Sequence, residues 1–124
     1  MLNGCILRKP TEGNLRERVN RYWFLRENEE IVRIHDAFLV PEQQDKWNAT
    51  QFVKKFNYSV KHHQIESIRI SGDVATVQTR IGIGFQKYSV RNVKITNKWK
   101  WINGQWYILL PTEMERARSF WGSK

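Results

Sequence analysis

Trp99-Lys100-Trp101-Ile102-Asn103-Gly104-Gln105-Trp106-Tyr107-Ile108-Leu109-Leu110 is the stretch that decides the fold of this chain. Asn-Gly between two aromatic and β-branched runs is a strong hairpin signal, because a type I′ turn needs positive φ at both central residues. With Asn103 and Gly104 as the loop, Ile102 faces Gln105, Trp101 faces Trp106, Lys100 faces Tyr107 and Trp99 faces Ile108. Paired residues share a face of the sheet. One side therefore carries Trp99, Trp101, Trp106, Ile108 and Leu110, and the other Lys98, Lys100, Gln105, Tyr107 and Leu109. The first side is expected to wall a core and the second to meet water.

The same alternation extends upstream to Tyr58. Gly72-Asp73 suits a two-residue loop with glycine in the positive-φ position. Ile70 then faces Ala75, Ile68 faces Val77 and Glu66 faces Thr79, and Ile81, Ile83 and Phe85 continue the apolar face. Ser67, Arg69, Thr76, Gln78 and Arg80 fall on the opposite face, with Gly82 and Gly84, where glycine inside a strand marks a bend. A connection near 86–89 leads into a strand over 90–102. Val93, Ile95 and Asn97 lie in phase with Trp99, and Lys94 with Lys98 and Lys100.

Before Tyr58 the period is helical. Asn14 with Glu17 reads as a capping box, and Leu15, Val19, Tyr22, Trp23 and Arg26 share a face, with Asn28 as the left-handed stop. A second helix is expected over 29–39, ending before Pro41. Residues 42–47 read as a polar connector, and Asn48 or Thr50 caps a short helix carrying Phe52, Val53 and Phe56. After Pro111, Thr112 and Glu115 form another box, and Met114, Ala117, Phe120 and Trp121 line an appended helix. The chain thus divides into a tether (1–13), an α+β domain (14–111) with N-terminal helices on a strongly curved antiparallel sheet, and a short C-terminal helix (112–124).

With 124 residues and 13% aromatics, six of them Trp, the chain suits one domain with a real core and is unlike a disordered one. Net charge is +9. Residues 1–41 hold seven Lys/Arg against six Asp/Glu, whereas 42–111 hold eleven against four, so the excess belongs to the sheet. Such an excess favours an anionic counterpart, an acidic protein surface or lipid headgroups, although lysines also serve solubility and guard sheet edges. The single cysteine excludes an internal disulfide. Leu2-Asn3-Gly4-Cys5 resembles the end of a bacterial lipoprotein signal, which implies a lipidated Cys5 and a cell-envelope location. The usual apolar stretch does not precede it, so a chance match stays open.

Helices followed by a bent antiparallel meander ending in Trp-x-x-x-Gly-x-Trp-Tyr resemble the nuclear-transport-factor-2-like superfamily, a cone-shaped α+β fold. The residues that carry the resemblance are Tyr22-Trp23, Ala37-Phe38-Leu39-Val40-Pro41, Ser71-Gly72-Asp73-Val74-Ala75-Thr76-Val77 and Trp101 to Tyr107, within residues 14–110. They speak for fold and leave function open, since the superfamily includes isomerases, dehydratases, transport factors and secretion scaffolds.

The enzymes of that superfamily, ketosteroid isomerase and scytalone dehydratase among them, project acid–base groups into the cone. By phase, Glu66 is the one ionisable group on the inner sheet face and the first candidate base. His35 is the second, but His35 and Asp36 leave their helix about 100° apart and do not make a ready dyad. His62 and His63 point to opposite faces, and no metal site or cofactor is expected. Gly82-x-Gly84 precedes no helix and is not a phosphate cradle. Tyr22, Trp23, Phe38, Thr79, Trp99 and Trp101 line either a core or a pocket for a small hydrophobic ligand, with core favoured. Arg69, Arg80, Lys94, Lys98 and Lys100 make a basic outer face.

The leading expectation is a non-catalytic binding or assembly domain that meets a protein partner or a second copy through its sheet. The alternative is a small-molecule isomerase or dehydratase using Glu66 or His35. Nucleic acid ranks lower, because no recognition helix or RNA-binding motif accompanies the cations.

Overall fold

The computed structural model describes residues 9–54, 56, 58–85 and 87–110. Cys5 and the expected C-terminal helix lie outside the described residues. Four helices come first, α1 (Glu12–Glu27), α2 (Ile31–Ala37), α3 (Pro41–Lys46) and α4 (Ala49–Val53). Four antiparallel strands follow in the order of the sequence, β1 (Ser59–Ser71), β2 (Val74–Phe85), β3 (Tyr88–Ile102) and β4 (Gln105–Leu109). The helices pack on one face of the bent sheet, giving an α+β cone rather than a closed barrel.

The last hairpin forms as its sequence dictates. Asn103 and Gly104 take φ of 48° and 83°, and Trp101 pairs with Trp106 and Lys100 with Tyr107. At the first hairpin Gly72 takes φ of 64°, with Ile70 opposite Ala75 and Ile68 opposite Val77. Beyond that point the register departs from strict alternation. Ile65, not Glu66, faces Thr79, because Glu66 is the extra residue of a β-bulge. A second bulge at Lys61 lies between Val60 and His62, and a third on β3 sets Arg91 and Asn92 against Gly82, with Asn92 at φ of 60°. Each bulge adds twist and bends the strand, which lets a four-stranded sheet wrap the helices.

Helix α1 starts earlier than expected. Thr11 is its N-cap, and the box closes on Asn14: Asn14 N donates to Thr11 Oγ1 at 3.2 Å and Thr11 N to Asn14 Oδ1 at 3.0 Å. Asn14 Oδ1 also accepts from Trp106 Nε1 at 3.0 Å, tying the helix start to the deciding hairpin. At the other end Glu29, not Asn28, carries the positive φ, 57°. Residues 42–47 are expected as a connector, but Pro41–Lys46 forms α3, with Pro41 at the first helical position, where its missing N–H costs nothing.

Between α2 and α3 the chain runs beside β4. Leu39 bridges Ile108 in parallel, Ile108 N donates to Phe38 O at 2.7 Å and Val40 N to Ile108 O at 3.1 Å. The β4 edge is thereby covered, as an exposed edge would invite pairing with other chains. Gln43, buried on α3, completes the seam: its Nε2 donates to Leu110 O at 2.6 Å and its Oε1 accepts from Leu110 N at 3.0 Å. Replacing Gln43 with Leu leaves two buried peptide groups without partners. We expect Q43L to lower unfolding free energy by about 2–6 kcal/mol in urea titrations, at roughly 1–3 kcal/mol per orphaned group. A loss below about 0.5 kcal/mol, the level of an ordinary surface substitution, contradicts the seam.

Candidate functional site

Inside the cone, side chains from α1 and the inner sheet face interlock. Trp23, Trp99 and Trp106 are each at most 1% exposed, and Thr79 and Phe38 are buried with them. Tyr22 meets Trp23 edge-on at 4.9 Å between ring centres and Trp99 at 5.9 Å, favourable geometries for aromatic quadrupoles. Trp101 is half-buried, edge-on to Trp106 at 5.3 Å. The aromatic set therefore packs together as core among the described residues.

Glu66 is not in that interior. The bulge turns it outward, and its carboxylate pairs with Arg80, whose guanidinium also reaches Asn92 O at 3.4 Å. The same added residue brings Ile65 and His63 to the inner side. No periodicity announces His63, and yet it joins two layers. Its ring stacks on Trp23, its Nδ1 lies 2.5 Å from Glu27 Oε2 and its Nε2 2.9 Å from Asn20 Oδ1, both on α1. His62 points the other way, its ring lying where a Cβ on Gly82 would sit.

His35 and Asp36 do meet, against the expectation from helical geometry. At the end of α2 the exposed Asp36 side chain swings back, and its Oδ1 lies 2.9 Å from His35 Nδ1. His35 Nε2 is hydrogen-bonded to the carbonyl of Trp47, in the link between α3 and α4. Carboxylate and carbonyl can only accept, so the two bonds together call for an imidazolium donating from both nitrogens. Burial pulls the His35 pKa down, but the bonds to Asp36 and Trp47 outweigh it, and the pKa stands above its ordinary value of 6.5. With both nitrogens engaged, His35 is a latch between helices and has no free lone pair for a substrate proton.

The outer face carries the charge. Arg69, Lys94, Lys98 and Lys100 are exposed and form no ion pair among the described residues. Thr76 pairs with both Arg69 and Lys98, so these two cations flank it in one row across three strands. Beside that row Ser67, Arg69, Thr76 and Gln78 line a shallow groove of about 190 Å³. Lys100 sits between Val74 and Tyr107, an apolar and aromatic border for the cations. A second hollow of about 270 Å³, between α1 and α2, is lined by Arg21, Leu25, Arg33, Asp36, Ala37 and Phe38. Among the described residues, no group of three or more His, Cys, Asp or Glu converges as a metal site would need, and no helix is long and apolar enough to cross a membrane.

No family model and no curated protein matches this sequence. Among solved structures, the chain is similar to a SEC-C motif containing protein from Rhodopseudomonas palustris, with 16% identity, a TM-score of 0.54, and 80% of this chain and 74% of that one covered. It is also similar to a SEC-C motif containing protein from Psychrobacter arcticus, with 18% identity, a TM-score of 0.51 and coverage of 74% and 55%. A de novo designed protein of the nuclear-transport-factor-2 fold aligns over 93% of this chain and 98% of its own, at 12% identity and a TM-score of 0.49. Similarity at this level concerns fold alone.

The His35 latch has a definite pH signature. A pKa raised in the folded state means that protonation favours folding: the contribution is full below 6.5, the ordinary value, and fades as pH rises through the raised folded value. We expect H35Q to cost about 1–3 kcal/mol at pH 5.5, and less at pH 9, in urea titrations. An equal loss at both pH values contradicts a charged latch.

Proposed function

We propose that the chain is a non-catalytic bacterial domain of the nuclear-transport-factor-2-like type that holds an acidic protein partner on its outer sheet face. The observation that carries this is the segregation of charge along β3. Lys94, Lys98 and Lys100 are exposed, while Asn97 and Trp99 between them are buried. Arg69 extends the row, and the one carboxylate on the strands of that face, Glu66, is occupied by Arg80. A field of one sign steers an oppositely charged surface and sets its register. It also opposes a dimer formed by two copies of this face, since like charges brought together cost energy. Tyr107 and Val74 supply the apolar contact that long-lived docking requires beside the charges.

Two features weigh against the isomerase or dehydratase alternative. Glu66 points out of the cone, and His35 spends both nitrogens on structural bonds. A lipid on Cys5 would keep the domain at the envelope, with the sheet face free for its partner.

Reversing charge at two exposed positions tests the proposal with little risk to folding. Wild-type protein is expected to bind immobilised poly-L-glutamate at about 150 mM salt, where the screening length is roughly 8 Å and several clustered charges still act together. K98E/K100E is expected to flow through, with a melting temperature close to wild type. Equal retention of both proteins refutes the outer face as the interface. Retention on single-stranded polynucleotide but not on poly-L-glutamate moves the assignment to nucleic acid.

A further inference from the structure

Arg26 is the one strongly basic side chain buried inside the described structure, at 4% exposure. Its guanidinium has five donors and no acceptor. Nη1 donates to the Tyr22 hydroxyl at 3.2 Å, and Nη2 has no hydrogen-bond partner. No carboxylate lies within ion-pair distance of it among the described residues. Burial disfavours its charge, yet Tyr22 and Tyr58 more than compensate, so its pKa is raised and the cation persists.

Four rings surround this cation. Its central carbon lies 4.3 Å from the centre of Phe56, 5.3 Å from Tyr58 and 5.4 Å from Trp23, with Tyr22 completing the cage. Cation–π attraction offsets part of the lost hydration but leaves Nη2 without an acceptor. The surrounding interior is short of acceptors. Trp23 Nε1, Trp99 Nε1 and Thr79 Oγ1 are also buried without partners. Indole and guanidinium nitrogens can only donate, so three of these four orphaned atoms await an acceptor. Phe56 and Tyr58 are half-buried, which puts the cage at the edge of the core.

We infer that Arg26 and the rings around it form a binding site for a small hydrophobic monocarboxylate. The ligand's two oxygens would take the free N–H groups of Arg26, and its apolar body would lie among Trp23, Phe56 and Tyr58. One cation in an aromatic cage suits one negative charge on an apolar frame. A phosphate, with two charges and four oxygens to satisfy, would need further donors. The site is separate from the outer basic face, and the proposal stands or falls without it.

The test uses the whole chain and four probes, hexanoate and benzoate with their neutral analogues hexanamide and benzamide. Trp23 forms a wall of the cage, so binding is read from tryptophan fluorescence and calorimetry together. We expect saturable binding of at least one carboxylate, no response to either amide, and a melting temperature that rises with carboxylate concentration. R26M is expected to weaken binding about tenfold or more, the scale of losing charge-assisted hydrogen bonds. Should R26M fail to fold, Y58F and the wild-type comparison of acid against amide carry the same decision: Y58F retains discrimination against the amide, and loss of discrimination counts against the site. The inference is overturned if neither carboxylate binds at about 10 mM, or if acids and amides bind alike.

Discussion

From Val93 to Trp101 every other residue of β3 is committed to one side of the sheet, and the turn at Asn103–Gly104 settles which side. Trp99 is buried and Lys98 and Lys100 are exposed, a contrast that a slip of one residue would invert. Such a slip would put two ammonium groups into the aromatic core and an indole into water, a cost of several kcal/mol for each charge alone. The positive φ values at 103 and 104 prevent it, because they fit a two-residue loop and no neighbouring register. Asn14 reinforces the choice from the helical layer by accepting the Trp106 indole N–H while it closes the capping box of α1. Turn, core and helix start thus depend on a single alignment of β3 with β4.

From that alignment follow both surfaces of the protein. Inside, aromatic edges meet faces, and α1 lays Tyr22, Trp23 and Arg26 against them. Outside, Arg69, Lys94, Lys98 and Lys100 are gathered without an ion pair among the described residues, and Arg80 takes Glu66. The β4 edge is closed by Phe38 to Val40 and by the grip of Gln43 on Leu110, whereas the β1 edge is broken by bulges at Lys61 and Glu66. Bulged and charged edges resist strand addition. The outer face of the sheet, rather than its edges, is thereby left exposed.

The hairpins and the inner aromatic wall were legible because Asn-Gly and Gly-Asp loops fix register locally and alternation does the rest. Glu66 was misplaced for one reason: a bulge adds a residue without any composition signal, and it reverses the parity of everything beyond it on β1. The same hidden step concealed His63, which strict alternation places outward. The direction of its Cβ points Asp36 away from His35, yet at a helix end its carboxylate turns back to the buried imidazole. Thr11 is hard to see as the cap from sequence because Asn14 and Glu17 make an equally good box one turn later. Arg26 falls on the core face of α1 by its spacing, but its lack of a carboxylate among the described residues depends on the chain bringing Phe56 and Tyr58 beside it, which no local pattern encodes.

The alternation on β3 is best examined directly, by placing single cysteines at 94, 97, 98, 99 and 100 in a Cys5→Ser background and measuring thiol modification of the native protein. Rates close to those of a free thiol are expected at 94, 98 and 100. At 97 and 99 we expect a slowing of about a hundredfold or more, since a buried position reacts only through local opening. A pattern without alternation, or protection at the three lysine positions, would contradict the fold, the charge segregation and the interface together.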